Sequence, residues 1–533
     1  MTRRHFVLVL AAVLWPAAAP AAPPAQWVVV VAPAFRAAVK PLAEQRRHQG
    51  MHVVVMETTD VLSPREIAGG DAGKLRDRVN KLCRQYGGTS YVLLVGAVEA
   101  GKPADAERTV LPPLPGTAGR MKGQPSDNGY GNPGKDLLAT VAVGRFPART
   151  AEEARRMVAK TLAYENDPRP GAWRRQVTVL AGVPAFNPFV DKLVQGMAMT
   201  RFARLDASWS GRAIYHNAQS PFCVPDDRLH DTALAYVQAG QAFTLYLGHS
   251  DAEGFYAGRA RFLDREDWAR MRIRRGPGVF ATFGCNGCQL SGRDGEGYGV
   301  AAVRNPGGPA AVLGSHGICF AAMVELCTDG LFEGCFASRP PGRLGEAWLA
   351  IKAGLAHARI DALTFRLLDA VDGDNRIPQE RQRLEHQEMF ILLGDPALRL
   401  PVLATDVTLT TTGPLVAGKT LSIQGELPAR LEGARVRLTL ERPVHTEPAD
   451  LAPLPDKPPE ARAKVMMANH ERANHFVLAG QDVTSRGRTF ESRLTVPARL
   501  PWRRLVLRAY AVQGSADGLG VLPLKVIQPQ AGK

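Results

Sequence analysis

Beyond its N-terminus the 533-residue chain has no apolar run of the about 20 residues needed to cross a bilayer. It has no dense Lys/Arg block and no groove-like alternation of basic and aromatic residues, so its formal charge of +15 reads as a scattered basic surface rather than a nucleic-acid footprint. Cysteine is scarce, at seven residues, and only one pair has CxxC spacing. A structural zinc site wants a second pair of ligands at similar spacing, and its absence argues against that reading. No EF-hand spacing occurs either.

What is present is a globular composition, 45% hydrophobic and 22% charged, in a chain long enough for two or three domains. The start, "MTRRHFVLVLAAVLWPAAAPAAP", joins Arg3 and Arg4 to an apolar stretch from Phe6 to Trp15 and small residues around Ala19-Pro20-Ala21. It reads as a signal peptide over residues 1–21, which predicts a protein secreted or held in the periplasm or cell envelope. An odd number of cysteines in an oxidising compartment leaves at least one thiol unpaired.

Short β-rich runs alternate with amphipathic stretches through the first two-thirds of the chain. "WVVVVAP", "MHVVVME", "SYVLLVG", "TVAVGRF", "QVTVLAG", "AFTLYLGH", "VFATFG" and "PAAVLGS" are continuous and apolar, as strands buried on both faces should be. Together they predict a parallel sheet flanked by helices. The Pro/Gly break from Asp167 to Trp173 divides it into α/β subdomains at 22–170 and 171–401. From 402 to 533 the pattern alternates polar and apolar with Gly/Pro turns, which predicts an all-β immunoglobulin-like sandwich. "TEPADLAPLPDKPPEARAK" within it reads as an exposed loop.

Two predicted strands end in reactive residues: "TLYLGHS" delivers His249 and "VFATFGC" delivers Cys285. Ligands of parallel α/β sheets bind at strand carboxyl ends. If the two strands are neighbours, the imidazole can take the thiol proton and return it to a leaving amine. A lone histidine or cysteine is more often core material, and it is the shared strand-end position that singles these two out. Cys288 leaves three readings open: a rival nucleophile, a disulfide partner of Cys285, or one half of a redox pair.

The chain resembles the gingipain-type cysteine peptidases, family C25 of the caspase-like clan. Separated motifs carry the resemblance in order: "YVLLVG", "SDNGYG", "VAVGRFPARTAEEARRMVAKTLAYE", "LYLGHS", "VFATFGCNG" and "LLGDPALRL". It implies a caspase-like α/β region followed by an immunoglobulin-like domain, and a secreted endopeptidase acting on protein or peptide substrates. By position it makes His249 the catalytic histidine and Cys285 the nucleophile, with backbone N–H groups at Gly248 and Cys285 holding the oxyanion. The Glu that some members place near the histidine has no clear counterpart, so Asp251, Glu253 or no acid orients His249; Asp191 is an S1 residue favouring a basic P1 side chain or a helix cap, and His316 with Cys319 lines the S1 wall or packs. The implied chemistry needs no cofactor; bound calcium in relatives makes Asp127 a candidate ligand. Three departures stand out: Ser250 where glycine is common after the histidine, Cys288 where Cys-x-x-Gly is usual, and Ala97 where Asp often follows "LLVG". The altered cysteine motif leaves two rivals: an inactive peptidase-like binding protein of the envelope, and a thiol-disulfide protein using Cys285 and Cys288.

Overall fold

The computed structural model describes residues 24–132, 138–167, 169–183, 196, 200–258, 260–292, 295–371 and 377–528. Ten strands form one sheet: β1 (Gln26–Val31), β2 (His52–Glu57), β3 (Ser90–Val95), β4 (Ala142–Phe146), β5 (Gln176–Gly182), β6 (Ser210–His216), β7 (Phe243–Leu247), β8 (Val279–Phe283), β9 (Ala311–Ser315) and β10 (Phe390–Leu393). Their order across the sheet is β2-β1-β3-β4-β10-β9-β8-β7-β5-β6. Eight of the ten are the apolar runs named above; β1, β3, β4, β8 and β9 are buried at every residue, as expected where helices cover both faces.

The sheet departs from the all-parallel expectation at one seam. β10 runs parallel to β4 but antiparallel to β9, and every other neighbouring pair is parallel. The sheet therefore consists of two parallel blocks of five strands pointing in opposite directions. An apolar run such as "FILL" carries no direction in its pattern, so only the chain path from the preceding helix, Gln379–Met389, sets it. The consequence is functional: the strand ends after β5, β6, β7, β8 and β9 share one rim, away from the ends of the first block.

The break at Asp167–Trp173 falls between helix Ala151–Glu165 and β5. The strands on its two sides nevertheless share one core, running from Trp27 in β1 to Leu400. A buried polar lattice ties them as well. Arg46 donates to Asp395 Oδ2 from Nε at 3.0 Å and from Nη2 at 2.6 Å, and to both oxygens of Glu165 at 2.8 Å. Trp27 Nε1 donates to Asp395 Oδ1 at 3.0 Å. The Asp of "LLGDPALRL" is thus a structural clamp, since buried charges persist only when paired.

The C-terminal region has its own core and two sheets, one of three strands and one of five. The expected exposed loop at 446–464 is corrected there: helix Pro459–Asn474 begins inside it. Pro at the first helical position followed by good helix formers is a helix start, masked in the sequence by the prolines before it. Asn474 at the end of this helix bonds both the N–H and the C=O of Ala213, at 2.7 and 3.0 Å. Ala213 lies in β6, the outermost strand of the large sheet, so the helix protects an edge that would otherwise invite pairing.

Candidate active site

β7 and β8 are parallel neighbours paired from Phe243↔Val279 to Leu247↔Phe283. His249 and Cys285 therefore stand at the same level, each two residues past its strand, on strands roughly 4.8 Å apart. Both line one cavity of about 620 Å³. The rest of its wall near the pair comes from Gly248, Phe283, Ile318 and Cys319, with Glu325 further along.

The two loops are built to approach closely. The Ser250 hydroxyl donates to the Cys285 carbonyl at 2.7 Å, joining the histidine loop to the cysteine peptide. Gly284 makes room for this: a Cβ there would stand 2.1 Å from Ser250 Oγ and 3.0 Å from the Gly248 carbonyl. The His249 carbonyl accepts from the buried Tyr246 hydroxyl and from the Tyr256 N–H, the latter at 3.1 Å. Ser250, a departure from the family pattern, is thus a strut, and Tyr246 is a support that the strand reading of "TLYLGHS" passed over as packing.

After Cys285 the chain turns sharply. Asn286 adopts a left-handed conformation, φ 57°, which asparagine tolerates better than most residues. Its N–H donates to the Gly317 carbonyl at 2.9 Å, and the Cys288 N–H to Ser315 at 2.8 Å. These bonds carry Cys288 into the core, where it is 0% exposed and burial pushes its thiol well above the usual range. Its sulfur sits where Gly299 and Gly314 leave space: a Cβ on either would lie 2.9 or 2.7 Å from it. None of the seven cysteines is joined in a disulfide. The structure thus places Cys288 in the core, away from the cavity that Cys285 lines, and not beside it as a rival nucleophile or redox partner would stand.

Other expected residues take different places. Asp251 Oδ1 accepts from the N–H groups of Glu253 and Gly254 at 2.8 and 3.0 Å, shaping the hairpin Gly254–Asp264, and Glu253 pairs with Arg265 at 2.7 Å. These carboxylates build the hairpin, while the Tyr246 and Tyr256 bonds hold the His249 backbone. His316 is buried; its Nδ1 accepts the Leu290 N–H at 2.9 Å, and burial lowers its pKa to about 4. It serves as a hydrogen-bond acceptor behind the rim and does not line the cavity. Asp127 is buried and gives one oxygen to Arg145 Nε and the other to Nη2, both at 2.7 Å. A carboxylate so occupied does not fit a calcium ligand, and among the described residues no three His, Cys, Asp or Glu side chains cluster as a metal site. Asp191 lies outside the described residues.

Sequence reasoning missed the frame behind Ile318 and Cys319. Arg120 donates to the Ile318 carbonyl at 2.8 Å and lies 3.8 Å over the Phe320 ring, while Glu385 holds Arg120. The Phe320 N–H donates to Nε2 of buried His386 at 3.0 Å, and burial lowers that histidine's pKa to about 3. Ile318 is left 59% exposed at the cavity mouth. Helix Gln379–Met389 is too polar to read as core, yet Gln382 to Glu388 includes four buried polar side chains, Glu385, His386, Gln387 and Glu388, beyond Gln382 itself.

No helix among the described residues is long and apolar enough to cross a membrane. Two solved structures align over nearly the whole chain. The Arg-specific cysteine proteinase gingipain R matches at 15% identity and a TM-score of 0.52, covering 95% of this chain and 98% of that one. A complex of the pro- and mature domains of the gingipain from Porphyromonas gingivalis matches at 14% identity and 0.51, covering 94% of this chain and 100% of that one. At such identities the likeness speaks for the fold. No curated protein matches the chain in sequence. Residues 21–401 match peptidase family C25, the greater part of the chain and all ten strands of the large sheet. With a thiol and an imidazole level on adjacent strand ends, the chain belongs to peptidase family C25, a family of cysteine peptidases.

Proposed function

We propose that this protein is a secreted cysteine endopeptidase in which His249 and Cys285 form the catalytic dyad. His249 takes the Cys285 proton, the thiolate attacks the substrate carbonyl, and the protonated imidazole delivers its proton to the leaving amine. A thioester acyl-enzyme remains, and water, activated by His249, hydrolyses it. Backbone N–H groups at Gly248 and Cys285 hold the developing oxyanion. The chemistry calls on no cofactor.

The observation that carries this reading is the register of β7 and β8, which sets both side chains at one level on the cavity wall. A basic P1 preference rests on the family resemblance at Asp191; of the acids that line the described cavity, Glu325 and Glu447, Glu325 holds Arg201 in an ion pair. The C-terminal region, with its two sheets around one core, supports an immunoglobulin-like sandwich, and the signal-like N-terminus supports export.

Peptidyl acyloxymethyl ketones with Arg, Lys or an apolar residue at P1 test the reading by mass-spectrometric mapping. The expected result is labelling of Cys285, fastest with Arg or Lys, and lost in Cys285→Ala and His249→Ala. A folded wild-type protein that labels with none of the probes would establish the inactive binding protein instead.

A further inference from the structure

A second thiol of the same cavity comes from another strand end. Cys319 follows β9, and its side chain lies near enough to that of Cys285 for the two thiols to interact electrostatically. Its sulfur lies 3.6 Å from the carbonyl oxygen of Gly284, the residue just before Cys285. Both thiols line the same cavity, Cys285 partly exposed and Cys319 buried. The Cys319 segment is held on each side, by the Asn286 N–H on the Gly317 carbonyl and by His386 on the Phe320 N–H. Cys288, three residues from Cys285 in sequence, points into the core and cannot compete.

We propose that Cys319 is the resolving thiol of Cys285, so that a hydroperoxide converts the pair to a disulfide and reversibly silences the site. The Cys285 thiolate attacks the peroxide: an S–O bond forms, the O–O bond breaks, and the departing oxygen leaves as water or alcohol after taking a proton. Cys319 then attacks the Cys285 sulfur as it loses its own proton; the S–S bond forms, the S–O bond breaks, and water leaves. The two thiols supply the two electrons that reduce the peroxide, and an external dithiol reverses the reaction by exchange. A sulfenic acid without a nearby thiol goes on to the sulfinic and sulfonic acids, which dithiols do not restore. Cys319 therefore diverts oxidation of an exposed thiol from irreversible loss to a recoverable state. The loss of activity rests on the dyad reading; the disulfide itself does not.

Purified full-length protein is treated with hydrogen peroxide, then mapped by peptide mass spectrometry without reduction, with a parallel portion returned to dithiothreitol and labelled at Cys285. Expected in wild type are a Cys285–Cys319 crosslink, loss of labelling, and recovery of labelling to its starting level. Cys319→Ser and Cys319→Ala lose labelling without recovery and accumulate sulfinic acid at Cys285, while Cys288→Ser behaves as wild type. A Cys285–Cys288 crosslink, or sulfinic acid at Cys285 in wild type with no crosslink, overturns the proposal. Because the crosslink is read in wild type, it decides even where a variant fails to fold. If untreated wild type does not label but the crosslink forms, the dyad reading fails and the thiol pair stands.

Discussion

The two blocks of the large sheet are made of the same kind of apolar strand, but they end differently. The first block closes its polar groups on each other: Arg145 with Asp127, and Arg46 with Glu165 and Asp395, all buried. The second block runs out into small residues, Gly248 and Gly284, and turns a thiol and an imidazole toward a cavity. Paired charges give rigidity at a desolvation cost that only complete pairing offsets. A site for chemistry needs the reverse, groups held by their backbone and left able to change protonation state. Here the backbone of His249 and Cys285 is fixed through Ser250, Tyr246 and Tyr256 while both residues line the cavity.

Breaking the first block should cost stability most. Asp395→Ala leaves Arg46 with a buried, half-compensated charge and removes the partner of Trp27, and should destabilise by about 3–5 kcal/mol. Denaturant titration measures this; labelling of Cys285 under native conditions should change far less. Equal losses in both would mean the blocks are not separable in function.

The frame behind the reactive rim should respond to acid. His316 and His386 are held neutral by burial, with folded-state pKa values of about 4 and about 3 against 6.5. The unfolded chain binds protons at these positions below pH 6.5 and the folded chain does not, so their stabilising contribution is complete above that pH. It is lost progressively as pH falls toward 4, by about 3 kcal/mol for His316. Denaturation midpoints between pH 7 and 4.5 should fall, with a shallower slope in His316→Asn, which keeps an acceptor for the Leu290 N–H and cannot titrate. An unchanged slope would remove His316 from the account.

The smallest effect belongs to the strut between the two loops. Ser250→Ala deletes one hydrogen bond, worth about 1 kcal/mol in stability. If His249 and Cys285 act as proposed, their misplacement should lower kcat about 10- to 100-fold with KM little changed. A change confined to KM would place Ser250 in substrate binding instead.

How much could be read beforehand differs from residue to residue. The strands "SYVLLV" and "VFATF" declared themselves because burial on both faces demands an unbroken apolar run, whereas β6, "SGRAIYH", is an edge strand with mixed exposure and left no such mark. His249 and Cys285 were legible because strand ends are where a parallel sheet exposes reactive groups. The hydrogen-bond partners of Asp127, Asp251, Glu253 and His316 were not legible, because a carboxylate or imidazole looks the same in sequence whether it faces a ligand or a backbone N–H.

The sequence by itself determined the strand content, the β-rich C-terminal region and the two residues best placed for chemistry, since local burial patterns and strand-end positions are written in residue order. Only the tertiary structure decided the rest: that the sheet reverses at β9 and β10, that Cys288 sinks into the core, and that Cys319 lines the same cavity as Cys285. Direction and contact arise from packing between segments far apart in the chain, and spacing along the chain carries no record of them.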